Sequence, residues 1–178
     1  MIIIIGGTTH SGKTLLSQKL LEKIKYPYLS IDHIKMGLIR SNYTNLTPED
    51  DDKLTEYLWP IIKEIIKTNI ENNQNIIIEG CYIPFNFLND FDLKYLENIK
   101  HVFLILSQKY IQNNFDLIKK YSSVIENRID DSYLNKNDLI FENVKLLNKC
   151  VENNLDYVLI EDNYIETIDD LLEKIIVK

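Results

Sequence analysis

Apolar residues along this chain fall into short runs separated by longer amphipathic stretches. Ile2 to Ile5, Tyr28 to Ile31, Asn75 to Glu79, His101 to Leu106 and Tyr157 to Ile160 are compact and rich in β-branched side chains, the pattern of strands buried on both faces. Between them, apolar positions recur at helical spacing and predict helices over 12–25, 33–40, 47–72, 107–121, 135–153 and 164–177. The third helix has a start signal in Thr47-Pro48-Glu49-Asp50, with Thr47 as N-cap, Pro48 at the first helical position and Asp50 closing a capping box. Pro60 predicts a bend within it, because proline cannot donate to the preceding turn.

Strands alternating with helices call for an α/β fold, a parallel sheet covered on both faces and joined by right-handed crossovers. Ligands in such sheets bind beyond the carboxyl ends of the strands. The positions nominated for chemistry are therefore the loop after the first strand, Ser30 to His33, Glu79 to Tyr82, Ser107 to Lys109 and Glu161 to Tyr164.

The loop after the first strand changes the picture most. Gly7-Thr8-Thr9-His10-Ser11-Gly12-Lys13-Thr14 follows a buried strand and opens a helix, the full context of a Walker A phosphate loop. Glycines let the backbone turn its N–H groups around a polyphosphate, and the helix start adds a positive pole. Lys13 is expected to reach the terminal phosphates and Thr14 to offer its hydroxyl to Mg²⁺. Gly7, Thr8, Thr9, His10, Ser11, Gly12, Lys13 and Thr14 are thus the nucleotide-binding candidates, with ATP and Mg²⁺ as the ligands.

Two carboxylates stand at strand ends. Asp32, in Ser30-Ile31-Asp32-His33, is placed to accept a proton from an attacking hydroxyl or to hold Mg²⁺ through water, or simply to cap the next helix. Glu79 follows three isoleucines and precedes Gly80; a carboxylate there is costly to bury without a partner, which favours a role with Mg²⁺ or the acceptor. Lys35, Arg40 and Tyr82 join Asp32 and Glu79 as acceptor-side candidates.

Length and charge set limits. A chain of 178 residues suits a single domain, 1–178. A net charge of −7 disfavours a nucleic-acid groove, and a small mobile ligand fits better. Cys81 and Cys150 lack the spacing of a zinc site or a disulfide framework and read as buried thiols. The N-terminal run is too short for a signal peptide and no stretch approaches a membrane span, so a cytoplasmic protein without a membrane partner is expected.

With these residues in place, the chain resembles the small phosphate-loop kinases. The likeness is greatest to the group of zeta toxin-like, chloramphenicol phosphotransferase-like and 2-phosphoglycerate kinase-like proteins, and to chains loosely called adenylate kinases. The resemblance implies a three-layer P-loop NTPase fold with a five-stranded parallel sheet of order 2-3-1-4-5. It also implies a small helical lid at about 119–134 and MgATP-dependent transfer to a small molecule. By the same likeness Asp32 matches the acceptor-activating carboxylate, Arg128 falls in the lid as a catalytic and nucleotide-contacting cation, and Asn163 and Tyr164 lie where an adenine-contacting loop falls.

Three activities remain open on the residues: a kinase acting on a hydroxyl, a nucleoside monophosphate kinase, and a nucleotide-binding regulatory ATPase without a small acceptor. The monophosphate kinase would need cationic clamps where a hydroxyl kinase needs a base. The oligomeric state is not legible in the sequence.

Overall fold

In the computed structural model, which describes residues 1–121 and 134–177, five parallel strands lie in the order β2-β3-β1-β4-β5. They are β1 (Ile2–Gly7), β2 (Tyr28–Ser30), β3 (Ile76–Gly80), β4 (Ile99–Leu106) and β5 (Tyr157–Ile160). The helices are α1 (Lys13–Ile24), α2 (Ile31–Arg40), α3 (Asp51–Glu71), α4 (Leu93–Leu96), α5 (Gln108–Lys120), α6 (Lys136–Glu152) and α7 (Tyr164–Val177). The strand order is the expected one.

β1 is central because every one of its residues is buried and both its edges are paired, to β3 through Ile2↔Ile76 and to β4 through Ile2↔Ile99. Its side chains alternate between two cores, as the period of a strand requires. Ile2 and Ile4 join Leu54, Leu58, Trp59, Ile62 and Ile66 of α3 with Phe87 and Phe103, whereas Ile3 and Ile5 join Leu16 and Leu20 of α1 with Ile111, Ile168 and Leu172. Fully burying each aliphatic side chain contributes about 1.5–3 kcal/mol, so the doubly covered strand anchors the loop that follows it.

Local chemistry shifts several boundaries. α3 begins at Asp51, not at Thr47: the Asp50 carboxylate accepts from the Thr47 N–H at 3.0 Å and its hydroxyl at 3.1 Å. That bond draws 47–50 into a turn and leaves Pro48 ahead of the helix. α3 then runs unbroken through Pro60. Pro60 and Glu56, whose carbonyl loses its donor, both lie on the exposed side where water can replace the bond. α2 begins two residues earlier than expected, with Ser30 as N-cap, so Asp32 lies inside the first helical turn.

Asn143 on α6 was not singled out by the sequence, yet it clasps the end of β4. Its side chain accepts from the Leu106 N–H at 2.8 Å and donates to the Leu139 carbonyl at 2.8 Å, which satisfies a buried amide on both sides. Among the described residues no helix is long and apolar enough to cross a membrane.

Candidate active site

The carboxyl ends of β1, β2 and β3 come together in register. Glu79 pairs with Ile5 on one side and with Ser30 on the other, so the phosphate loop, the start of α2 and the segment after β3 form one cleft. All the strand-end candidates on this half of the sheet lie around it.

The loop is built around Gly12, the N-cap of α1, at φ 90 and ψ 20, a left-handed conformation that disfavours a side chain. Its Thr8 carbonyl accepts from the Ser11 hydroxyl at 2.9 Å and from the Lys13 ammonium at 2.8 Å. Lys13 therefore lies across the loop, near the amino end of its own helix, and is 7% exposed. Burial works to lower its ammonium, but the charges of Cys81, Glu79 and Asp32 outweigh it and hold the group above its ordinary value, with a Cys81 hydrogen bond adding to this. Lys13 stays protonated.

Cys81 corrects an expectation. Cys150 is buried, but Cys81 is exposed, because Gly80 ends β3 and the chain turns out into the cleft. The residue as a whole is exposed while its thiol sits among protein atoms, so desolvation leads the causes that raise it, partly offset by Lys13. Glu79 is 1% exposed and adds its field to Lys13. Ser30, its neighbour on β2, is equally buried, and its Oγ has no hydrogen-bond partner among the described residues.

On the other side of the cleft Asp32, Lys35, Tyr82 and Asp51 form a chain of contacts. Lys35 Nζ donates to Asp32 Oδ1 at 2.5 Å and to Tyr82 Oη at 2.9 Å. Tyr82 in turn donates to Asp51 Oδ1 at 3.0 Å. Tyr82 is 5% exposed; burial first, and then the charges of Asp51 and Asp32, push its phenol up and keep it protonated. Asp51 opens α3, where an acidic residue also suits the helix dipole, and nothing in the sequence pattern marks it as Tyr82's partner.

Other candidates lie apart. Arg40 is exposed at the far end of α2, roughly 12 Å along the helix from Asp32 at 1.5 Å per residue. Asn163 caps α7: its side chain donates to Glu166 at 2.9 Å and accepts from the Glu166 N–H at 3.3 Å. Tyr164 instead reaches the loop, its hydroxyl 3.4 Å from the Ser11 carbonyl. Arg128 and lid residues 122–133 lie outside the described residues. A cavity of about 330 Å³ between β5 and α7 is lined by Glu161, Asp162, Glu166 and Asp170 against Lys174, the wrong charge balance for a phosphate.

No protein-family profile matches the chain. A provisionally named adenylate kinase of Saccharolobus islandicus is 29% identical over 126 residues, covering 61% of this chain and 67% of that protein. A match at 30% identity to the serine/threonine-protein kinase MEC1 of Kluyveromyces lactis covers 53% of this chain but 4% of that protein. Among solved structures, deoxyadenosine kinase from M. mycoides with bound dATP aligns over 98% of both chains at a TM-score of 0.58 and 18% identity. Shikimate kinase from Bacteroides thetaiotaomicron aligns over 98% of both chains at 0.57 and 16%. The sheet order, the loop and these alignments agree on one architecture, and the chain has the fold of the small phosphate-loop kinases.

Proposed function

We propose that the protein transfers the γ-phosphoryl group of ATP to a hydroxyl of a small molecule. The observation that carries this reading is geometric: Glu79 stands in register between Ile5 at the end of β1 and Ser30 at the end of β2, Asp32 follows in the first turn of α2, and Lys13 lies across the loop after β1. This arrangement supports a donor-phosphate subsite and an acceptor-side carboxylate sharing one cleft, which in-line phosphoryl transfer would require.

In the proposed step Asp32 takes the proton of the acceptor hydroxyl as its oxygen bonds to the γ-phosphorus. The bond from that phosphorus to the β–γ bridging oxygen breaks, and ADP leaves. Lys13 and the first N–H groups of α1 face the charge that develops on the transferred group. The oxygen donors fit a hard cation: Thr14 and Glu79 would hold Mg²⁺, which supplies charge neutralisation across the β- and γ-phosphates when bound. Among the described residues no group of three or more His, Cys, Asp or Glu could cage a metal alone, which suits an ion bound largely by substrate phosphates.

Turnover of MgATP by the purified protein against pools of nucleosides, nucleoside monophosphates, polyols and aminoglycosides tests the proposal, with Lys13→Ala as control. Transfer that depends on Lys13 is expected with one pool. ATP binding without transfer to any pool would favour a regulatory ATPase. The 29% likeness to a provisionally named adenylate kinase keeps a nucleoside monophosphate acceptor as the second reading.

A further inference from the structure

We infer that the acceptor is a hydroxyl compound that carries no phosphate or carboxylate, one that is uncharged or cationic at neutral pH. The inference rests on the kinase reading above and specifies its acceptor. It comes from how the acceptor side of the cleft disposes of its charge.

An anionic acceptor needs a cation with donors to spare, held where the acceptor binds. Lys35 is the described lysine in the right place, and it is committed. Its side chain is 11% exposed, paired with Asp32 at 2.5 Å, and donates to Tyr82 at 2.9 Å. The same ammonium stands 4.9 Å from the centre of the Tyr82 ring, on the side of the hydroxyl it donates to, so Asp32 and Tyr82 together hold it. Tyr82 is anchored by Asp51 in turn. Freeing Lys35 for a phosphate would break its pair with Asp32 and leave that carboxylate facing the incoming anion.

Among the described residues the other cations do not make up the difference. Arg40 is exposed at the opposite end of α2, and Lys13 lies across the phosphate loop against the Thr8 carbonyl, where the donor nucleotide needs it. Around the acceptor side, Asp32 and Asp51 are set against Lys35, while Glu79 faces Lys13 on the donor side. Such a field repels a monophosphate and tolerates a neutral hydroxyl or an ammonium. Lys35 engages Oδ1 of Asp32, which leaves Oδ2 as the oxygen to take the acceptor proton. The Asp32 side chain is 40% exposed, open enough to be approached. Asp51 thereby becomes a specificity residue acting through Tyr82 and Lys35.

The test uses matched pairs: deoxyadenosine with dAMP, thymidine with dTMP, and glycerol with glycerate, plus kanamycin as a cationic polyol. Transfer from MgATP and binding to the ADP-loaded full chain are both measured. Within any pair that is turned over or bound, the uncharged member is expected to win by at least tenfold. Asp51→Asn, which removes one negative charge but keeps a partner for Tyr82, should reduce that ratio several-fold; Lys35→Gln should increase it. Melting temperature and ATP affinity confirm that both variants fold.

Lys13-dependent transfer to dAMP, dTMP or glycerate in preference to its partner overturns the inference and leaves the kinase reading standing. Absence of Lys13-dependent transfer to every probe overturns the kinase reading, and the charge preference is then decided by binding. Equal or tighter binding of the anion, or binding of neither member of any pair and not of kanamycin, overturns the inference as well.

Discussion

The phenol of Tyr164 occupies the space that a side chain on Gly12 would need. A Cβ on Gly12 would lie 1.6 Å from the Tyr164 hydroxyl oxygen and 2.8 Å from the ring carbon that bears it. The ring leans on Tyr110, 6.5 Å between centres. Burial pushes the phenol up to about 12, with the neighbouring Tyr110 adding to it, so Tyr164 keeps its proton to donate toward the Ser11 carbonyl. The start of α7 is in this way a wall behind the phosphate loop.

Gly12→Ala should therefore fail for two separable reasons. The left-handed backbone at φ 90 costs a non-glycine residue about 1–3 kcal/mol, and the collision with Tyr164 adds overpacking of about the same size. Urea unfolding should show the sum, and calorimetry should show ATP affinity reduced at least tenfold. In Gly12→Ala/Tyr164→Leu the collision is relieved and the backbone strain is not, so part of the stability should return. Wild-type stability in the single variant would contradict this account.

Thiol chemistry gives a direct check on the cleft. Cys81 is exposed and Cys150 is fully buried, so a small alkylating reagent should modify one thiol per native chain and both after unfolding. Because desolvation leads the causes that raise the Cys81 thiol, modification should be slow at neutral pH and speed up as pH rises. Bound ATP, drawing Lys13 to its phosphates and covering the loop, should slow it further. A rate at Cys81 that ignores saturating ATP would place the nucleotide somewhere else.

The architecture was legible because it depends on periodicity. The isoleucine run of β1 and the stripe Leu54, Leu58, Ile62 and Ile66 on α3 announce burial whatever their neighbours are, and the glycines of the loop announce its turn. Side-chain pairings across long separations were not legible. Tyr82 meets Asp51 and Asn143 meets Leu106, and neither partner is implied by local pattern. Cys81 was misread because a thiol after a buried strand ordinarily stays inside, whereas here the strand stops at Gly80. Asn163 adds another such contact: its position suggests a ligand role, and its side chain also bonds Glu166 in the helix it precedes, which the pattern does not announce.

If Asp32 takes the acceptor proton, Asp32→Asn should keep ATP affinity and lower kcat by about 10²–10⁴, the usual loss when a general base is removed. Tyr82→Phe makes a contrasting case. It unties Lys35 from Asp51 without touching the carboxylate, and loses hydrogen bonds worth about 0.5–1.5 kcal/mol each, so the change should fall mainly on the acceptor KM. Steady-state kinetics on both variants, with ATP binding measured separately, distinguish base from scaffold. Equal loss of ATP affinity in Asp32→Asn would assign Asp32 to the nucleotide side instead.

Asp50 carries a pH-dependent share of the stability of α3. Its carboxyl is held down from 3.8 to about 2, first by a hydrogen bond from Lys53 and then by the Thr47 N–H and hydroxyl. A carboxylate lowered on folding binds its proton more weakly in the native chain, so its contribution is complete above 3.8 and is lost as pH falls through about 2. Wild type should melt above Asp50→Asn at pH 6, and the gap should narrow between pH 4 and 2. Subtracting the two curves isolates Asp50 from the other carboxylates that titrate nearby. Lys53→Met removes the leading cause, and should move that window upward toward 3.8. A gap that stays constant from pH 6 to 2 would mean that the asparagine's loss is steric, and that the Asp50 charge contributes nothing to the turn ahead of α3.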